Sequence, residues 1–387
     1  MPAVRLLRWQ SEPKLVAVQV PEPGPGEVLL KVEAAGLCHS DLHLMDWPAG
    51  TVPYTLPFTL GHETAGTVAA LGPGAALGPG TKGVREGDRV LVYARWGCGV
   101  CWPCLQGMEN LCETPAGNLG GHGGGVGRDG GLAEYMVVPS ARYLVPIGDL
   151  DPVAAAPLTD AALTSYHAIK RWLPALRPGA TAVVIGIGGL GHMAVQLLRA
   201  VSNVRVVAVD IRESARRLAL QAGAHAAVSS VDGPGQLREE AGGRGAALVL
   251  DCVATDDTLA LAVGVIAPGG AISYVGRGGG SLPVSPASLP FGCSVHIPTW
   301  GTLPELAEVV ALARTGAVRT QVECFTLGEA ADAYRRLRRG EVRGRAVVTP
   351  DAGYAPDVVS AGGYAHRENY RNGGLSKPGP SSYTELN

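Results

Sequence analysis

The segment TAVVIGIGGLGHMAVQLLRAV, residues 181–201, limits the possible folds of this 387-residue chain more than any other stretch. It opens with an apolar, largely β-branched run, turns through Gly186, Gly188, Gly189, Leu190 and Gly191, and continues with apolar residues at helical spacing. The glycines spell G-x-G-x-x-G at a strand-to-helix junction. There glycine permits a tight turn and lets the backbone approach a pyrophosphate, whose charge suits the free N–H groups of the helix N-terminus. The next strand, VRVVAVD, ends in Asp210, nineteen residues after Gly191. A carboxylate at that point accepts hydrogen bonds from the hydroxyls of an adenosine ribose and repels a 2′-phosphate. NAD is therefore the expected cofactor, with NADP the second choice because Arg212 follows closely.

The same rhythm repeats through ESARRLALQAG, ALVLDCV, TDDTLALAVGVI and GGAISYVG. Buried strand runs that alternate with helical segments predict an α/β doubly wound parallel sheet, here over residues 156–315. The preceding 155 residues have a different texture of short apolar runs between turns, such as KLVAVQV, DRVLVYA and LAEYMVV, which reads as mostly β. After residue 315 two helical stretches lead to GRAVVTP, a closing strand expected to return to the first domain. Residues 316–350 would then complete the domain formed by 1–155. Residues 351–387 are polar and rich in Gly, Ser and Pro, and read as a tail, flexible or strapped to a partner subunit.

Charge excludes some partners. Lys+Arg 32 against Asp+Glu 34 gives a net charge of −2 with no basic block, so nucleic acid is not expected. No run approaches the eighteen apolar residues of a membrane span, and MPAVRLLRWQ lacks a secretory apolar core. The expected location is cytoplasmic, where clustered cysteines serve as metal ligands or catalysts rather than disulfides.

Four of the eight cysteines lie in GCGVCWPCLQGMENLC. Cys98, Cys101, Cys104 and Cys112 follow C-x2-C-x2-C-x7-C, a spacing that lets one loop close a thiolate tetrahedron on zinc. An iron–sulfur run has a shorter last gap and a following proline, which is lacking here. A four-thiolate zinc has no open position, so this cluster is expected to be structural. Chemistry must then lie elsewhere, and Cys38 in AGLCHSDLH with His62 and Glu63 in LGHETAG offers a mixed donor set of the kind an open catalytic zinc uses.

These segments, together with APLTDAALTSYHAI, occur in an order and context that resembles the zinc-dependent medium-chain alcohol dehydrogenases, over residues 1 to about 350. The wording is most similar to bacterial NAD-dependent secondary-alcohol dehydrogenases. The resemblance implies a GroES-like catalytic domain, a Rossmann coenzyme domain and two zinc ions per subunit, one catalytic and one structural. It implies Cys38, His62 and Asp160 as catalytic zinc ligands, Asp160 standing where many relatives have cysteine, and Glu63 as a carboxylate that binds the metal transiently. Ser40 and His43 resemble a proton relay. His39 and Arg345 match positions that reach the pyrophosphate, and Thr164 one that positions the nicotinamide. Ala215 stands where many relatives carry a basic residue for the ribose, so Arg212 or Arg216 would substitute. Trp47, Tyr54, Leu119 and Trp300 are the expected pocket walls. The family also implies a homo-oligomer, dimer or tetramer, associating through the edge of the coenzyme sheet. Rival readings are a primary-alcohol or polyol dehydrogenase, a non-catalytic nucleotide-binding scaffold, and a zinc-free quinone or enone reductase.

Overall fold

The computed structural model describes residues 1–75, 83–113, 123–230 and 233–350; Leu119 and the segment 351–387 lie outside the described residues. The coenzyme-domain sheet consists of β1 (Thr181–Ile185), β2 (Arg205–Val209), β3 (Ala226–Val228), β4 (Ala246–Asp251), β5 (Ile266–Tyr274) and β6 (Ser294–His296). All are parallel, in the order β3-β2-β1-β4-β5-β6. Every residue of β1 is buried, as a strand covered on both faces requires. The order reverses between β1 and β4, and the crevice beyond the carboxyl ends of strands at such a switch point is where this topology takes a ligand. Glycine is obligatory at the turn that opens onto it. Gly186 has φ +84°, and a Cβ on Gly191 would stand 2.0 Å from the Gly186 carbonyl oxygen. The helix Gly191–Val201 then lays Met193, Ala194, Leu197 and Leu198 against the sheet.

The other domain is built on the strand Val28–Gly36, paired antiparallel with Glu63–Leu71, Tyr135–Val138 and Arg345–Thr349. Arg345–Thr349 also pairs in parallel with Val322–Thr326, so the last described strands join the sheet formed by the first part of the chain. The first part of Val28–Gly36 alternates buried with more exposed positions, but its last three residues are all buried, because there the sheet runs under the coenzyme domain. Register matters more than strand identity here. Gly36 pairs with Glu63 and with Val347, which brings Cys38, His62 and Arg345 to one end of the sheet. A Cβ on Gly36 would lie 1.9 Å from Glu63 Oε2, so the carboxylate has its place only because residue 36 has no side chain.

One hydrophobic core runs through both domains, including Leu30, Leu91 and Met136 on one side and Val184, Leu197 and Leu198 on the other. A buried hydrogen bond crosses the same boundary, from the Tyr93 hydroxyl to the Gly301 carbonyl at 2.7 Å. Replacing Tyr93 by Phe removes the donor facing a buried carbonyl next to Trp300. The expected loss is about 1–3 kcal/mol of stability, read by denaturant or thermal unfolding, and an unchanged midpoint would show that this bond does not hold the domains together.

Candidate active site

Three side chains from separate segments converge at the sheet end. Cys38 is the extended residue before the helix His39–Asp46. His62 immediately precedes the strand Glu63–Leu71, and Asp160 lies between the short turn Ala156–Thr159 and the helix Ala161–Lys170. Cys38 Sγ stands 3.2 Å from Asp160 Oδ2, and His62 Nε2 lies 3.5 Å from the same oxygen. The three donor atoms lie within 4.8 Å of one another, and all three residues are buried. Zinc bonds of about 2.0–2.3 Å in a tetrahedron place neighbouring donors roughly 3.4–3.8 Å apart, so the trio is close to the size of a zinc site. His62 Nε2 is buried without a hydrogen-bond partner, as a ring nitrogen aimed at a metal would be. The residues fit a catalytic zinc with one position left for a substrate oxygen.

The surroundings orient these ligands. Asp41 Oδ1 lies 3.0 Å from His62 Nδ1, while Asp41 Oδ2 accepts from the Cys38 backbone N–H at 3.0 Å and from the Tyr334 hydroxyl at 3.0 Å. One buried carboxylate thus supports two ligands from different segments. Thr164, expected at the nicotinamide, donates its hydroxyl to Asp160 Oδ1 at 2.7 Å. Burial opposes charge on His62, yet Asp41 and then Asp160 draw its pKa well above the usual range, a field that equally favours a metal cation. Burial also opposes the Asp160 charge, but His62 and Arg345 hold its carboxyl below the ordinary range. Burial pushes Glu63 up to about 7 against the opposing charge of Arg345.

Arg345 does more than the sequence reading assigned to it. Its Nε donates to Glu63 Oε2 at 2.8 Å and its Nη2 reaches Asp160 Oδ2 at 3.2 Å. A Cβ on Gly189 would lie 2.4 Å from its Nη1, so the guanidinium also abuts the glycine turn. Glu63 accepts in addition from the Ala161 backbone N–H at 3.1 Å. A carboxylate held this way must give up Arg345 before it can approach a metal.

The glycine turn has open space at Gly188, where a Cβ would meet nothing within 4 Å. Asp210 is 7% exposed, its Oδ2 accepting from Ile187 N–H at 2.8 Å and its Oδ1 from Arg212 N–H at 2.8 Å. The carboxylate is therefore locked against the glycine turn. Arg212 makes an ion pair with it at 3.3 Å and donates to the Gly340 carbonyl, while Arg216 donates to the Asp210 carbonyl. His39 lies at the cleft wall, where dehydration, then the charges of Arg345, His43 and Arg212, hold its imidazole down to about 4.

Ser40 Oγ lies 3.5 Å from Cys38 Sγ, and His43 follows three residues later on the same helix face. The His43 ring stacks on Trp47 with centroids 6.4 Å apart and planes 20° apart. Trp300 stands edge-on to His62 at 5.4 Å. Its φ of +51° is a left-handed conformation that a bulky residue adopts only when its surroundings impose it. Tyr54 packs edge-on to Phe58 at 6.2 Å and is half-buried.

The four lobe cysteines also gather within 4.8 Å, with Cys101 Sγ 3.9 Å from Cys112 Sγ, matching the sulfur spacing of about 3.8 Å in a zinc tetrathiolate. Backbone N–H groups of Cys98, Cys101 and Glu113 point at these sulfurs. Sequence reasoning did not find Asp41, Tyr334 or Arg95. Asp41 had a local signal, lying three residues after Cys38, where a carboxylate can return to the backbone N–H. Tyr334, about 300 residues away in sequence, had none.

Residues 24–149 match the family model of the alcohol dehydrogenase GroES-like domain, and residues 189–314 match that of zinc-binding dehydrogenases. An NAD-dependent alcohol dehydrogenase of Sulfurisphaera tokodaii is 35% identical over 90% of this chain and 100% of its own. The chain belongs to the zinc-type medium-chain alcohol dehydrogenase family. It is also 34% identical to a D-arabinose 1-dehydrogenase (NADP(+)) of Saccharolobus solfataricus, across 89% of this chain and 97% of the relative. The alcohol dehydrogenase of Aeropyrum pernix superposes with a TM-score of 0.80 at 33% identity, covering 90% of this chain and 100% of that structure. As a member of this family the protein is an oxidoreductase with a GroES-like and a Rossmann-type domain.

This medium-chain dehydrogenase should bind two zinc equivalents whose losses have different consequences. Cys38→Ser is expected to remove one equivalent and turnover while the unfolding midpoint stays within a few degrees. Cys104→Ser should remove the other and lower stability by several kcal/mol, because metal-binding energy at a closed site is folding energy. Metal analysis with calorimetry checks both, and a single equivalent in the wild type would sink the catalytic assignment.

Proposed function

We propose that this dehydrogenase interconverts secondary alcohols and ketones with NAD(H), using zinc held by Cys38, His62 and Asp160 and a structural zinc held by Cys98, Cys101, Cys104 and Cys112. The observation that carries the reading is the buried trio, with its bare His62 Nε2, lying beside Trp300 at a cleft shared with the glycine turn. When bound, zinc supplies Lewis acidity to the alcohol oxygen and the nicotinamide accepts the hydride.

The chain's own groups do the remaining work. Asp41 fixes the ring of His62, and Thr164 fixes the carboxylate of Asp160. Arg345 offsets the combined negative charge of Glu63 and Asp160. Trp47, Tyr54 and Trp300 form apolar walls that exclude water and favour substituents on both sides of the carbinol carbon. Ser40 takes the proton that leaves the substrate hydroxyl, and His43 passes it to solvent. Burial, then the charge of Arg277, lowers the pKa of His43 from its usual 6.5, although Asp46 opposes them. The ring is thus neutral at pH 7 and free to accept. Asp210, nearly buried beside Ile187 N–H, favours an unphosphorylated ribose, with Arg212 held in its ion pair.

Among the described residues no helix is long and apolar enough to cross a membrane. A cytoplasmic homo-oligomer is part of the reading. Its support is the free edge strand β6, flanked by Phe291 at 83% and Ile297 at 74% exposure, an apolar edge that a second copy would cover.

A panel of secondary, primary and polyol substrates with NADH or NADPH, on protein of measured zinc content, tests the assignment. Ketone reduction with NADH should exceed that with NADPH at least tenfold in kcat/KM, and Asp210→Ser should narrow the ratio. Strong primary-alcohol turnover without ketone reduction would reverse the substrate order. His43→Gln should slow alcohol oxidation about a hundredfold near neutral pH. In the wild type, oxidation should rise with pH through an apparent pKa below 6.5, because the neutral ring is the acceptor. A profile identical in His43→Gln would remove that residue from the relay.

A further inference from the structure

Arg95 is a group in the cleft that an apolar pocket does not explain. It lies three residues beyond the end of the strand Arg89–Val92 and is 4% exposed. Its guanidinium lies 5.0 Å above the Trp300 ring, the same ring that stands 5.4 Å from His62. The Nη2 group donates to the Asn110 carbonyl at 3.2 Å, and Asn110 in turn donates to the Thr299 carbonyl at 3.0 Å. Among the described residues two buried donors find no hydrogen-bond partner, Arg95 Nε and the adjacent Trp300 Nε1. Among the described residues no carboxylate forms an ion pair with Arg95.

A buried guanidinium without a carboxylate partner is costly, and an unpaired donor beside it adds to the cost. Dehydration is the largest influence on Arg95 and lowers its pKa. A second cation faces the same space. Arg277, exposed on the loop after β5, forms no ion pair among the described residues, and its charge reaches His43, Tyr54 and Arg95. The cleft thus combines two arginines that have no carboxylate partner among the described residues with an indole N–H and aromatic walls beside the zinc-site candidates.

We propose that the substrate carries a carboxylate, accepted by Arg95 and Trp300 with Arg277 at the cleft mouth, so that the physiological reaction is oxidation of a hydroxy acid to an oxo acid. Two carboxylate oxygens match the two free donors, and a guanidinium gives such a group both charge and direction. The chemistry balances as for any alcohol: the carbinol C–H pair leaves as hydride to NAD, the hydroxyl proton leaves through the relay, and the carboxylate is unchanged. The inference rests on the dehydrogenase reading above and narrows its substrate.

The experiment compares kcat/KM for hydroxy acids of graded chain length with neutral secondary alcohols of the same skeleton, in zinc-loaded wild type, Arg95→Leu, Arg95→Lys and Arg277→Ala. The wild type is expected to favour the best acid at least tenfold. Arg95→Leu should cut the acid-to-neutral ratio about a hundredfold, with part restored in Arg95→Lys. Arg277→Ala, on an exposed loop, should lower the acid ratio several-fold and weaken its salt dependence. Turnover of neutral alcohols without acid preference overturns this inference and leaves the parent reading standing. An unchanged ratio in the Arg95 variants with loss of lobe zinc also overturns it, and makes the guanidinium a counter-ion of the four thiolates. Failure to turn over either class refutes the parent reading. Carboxylate binding is then read from tryptophan fluorescence, where quenching by an oxo acid in the wild type and not in Arg95→Leu supports the anion site, and no quenching in the wild type overturns it.

Discussion

The guanidinium of Arg345 is the interaction on which the rest of the structure depends. It is buried, bonded to Glu63 and Asp160, and pressed against Gly189 of the phosphate turn. A charge in that position is tolerable only while its partners remain in place. It therefore ties together Glu63 beside His62, Asp160 and the glycine turn. In the proposed reading the metal site and the nucleotide crevice share this one guanidinium.

Around that unit, different segments contribute different kinds of order. The antiparallel sheet provides register, since the pairing of Gly36 with Glu63 and Val347 sets which side chains share an end. The helix His39–Asp46 provides spacing, carrying Ser40 and His43 on one face and returning Asp41 to the ligand backbone. The lobe provides rigidity through four thiolates, and Asn110 within it reaches Thr299, beside Trp300. In the proposed reading the densest cysteine cluster supports the cleft without taking part in its chemistry.

Much of this was legible in the primary structure where the signal was local. The glycine turn, Asp210 and the four spaced cysteines each need only residues near in sequence, so spacing and residue chemistry were sufficient. Cys38 and His62 were legible as candidates, but Asp160 became a ligand only through family resemblance, since no spacing rule links residue 160 to residue 38. Arg345 and Glu63 were recognised separately for other roles. Their mutual bond depends on strand register between segments 282 residues apart, and Thr164 likewise shows its bond to Asp160 only in three dimensions.

By itself the sequence determined the doubly wound sheet, the glycine turn and the close spacing of four cysteines, because these follow from periodicity, glycine sterics and residue spacing along continuous stretches. The tertiary structure alone decided that Asp41 supports both Cys38 and His62, that Tyr334 completes its hydrogen bonds, and that Arg95 lies beneath Trp300 without a carboxylate partner among the described residues. Burial and pairing are properties of what the rest of the chain brings alongside a residue. An arginine between an alanine and a tryptophan looks like any surface cation until the fold removes its water and gives it no anion.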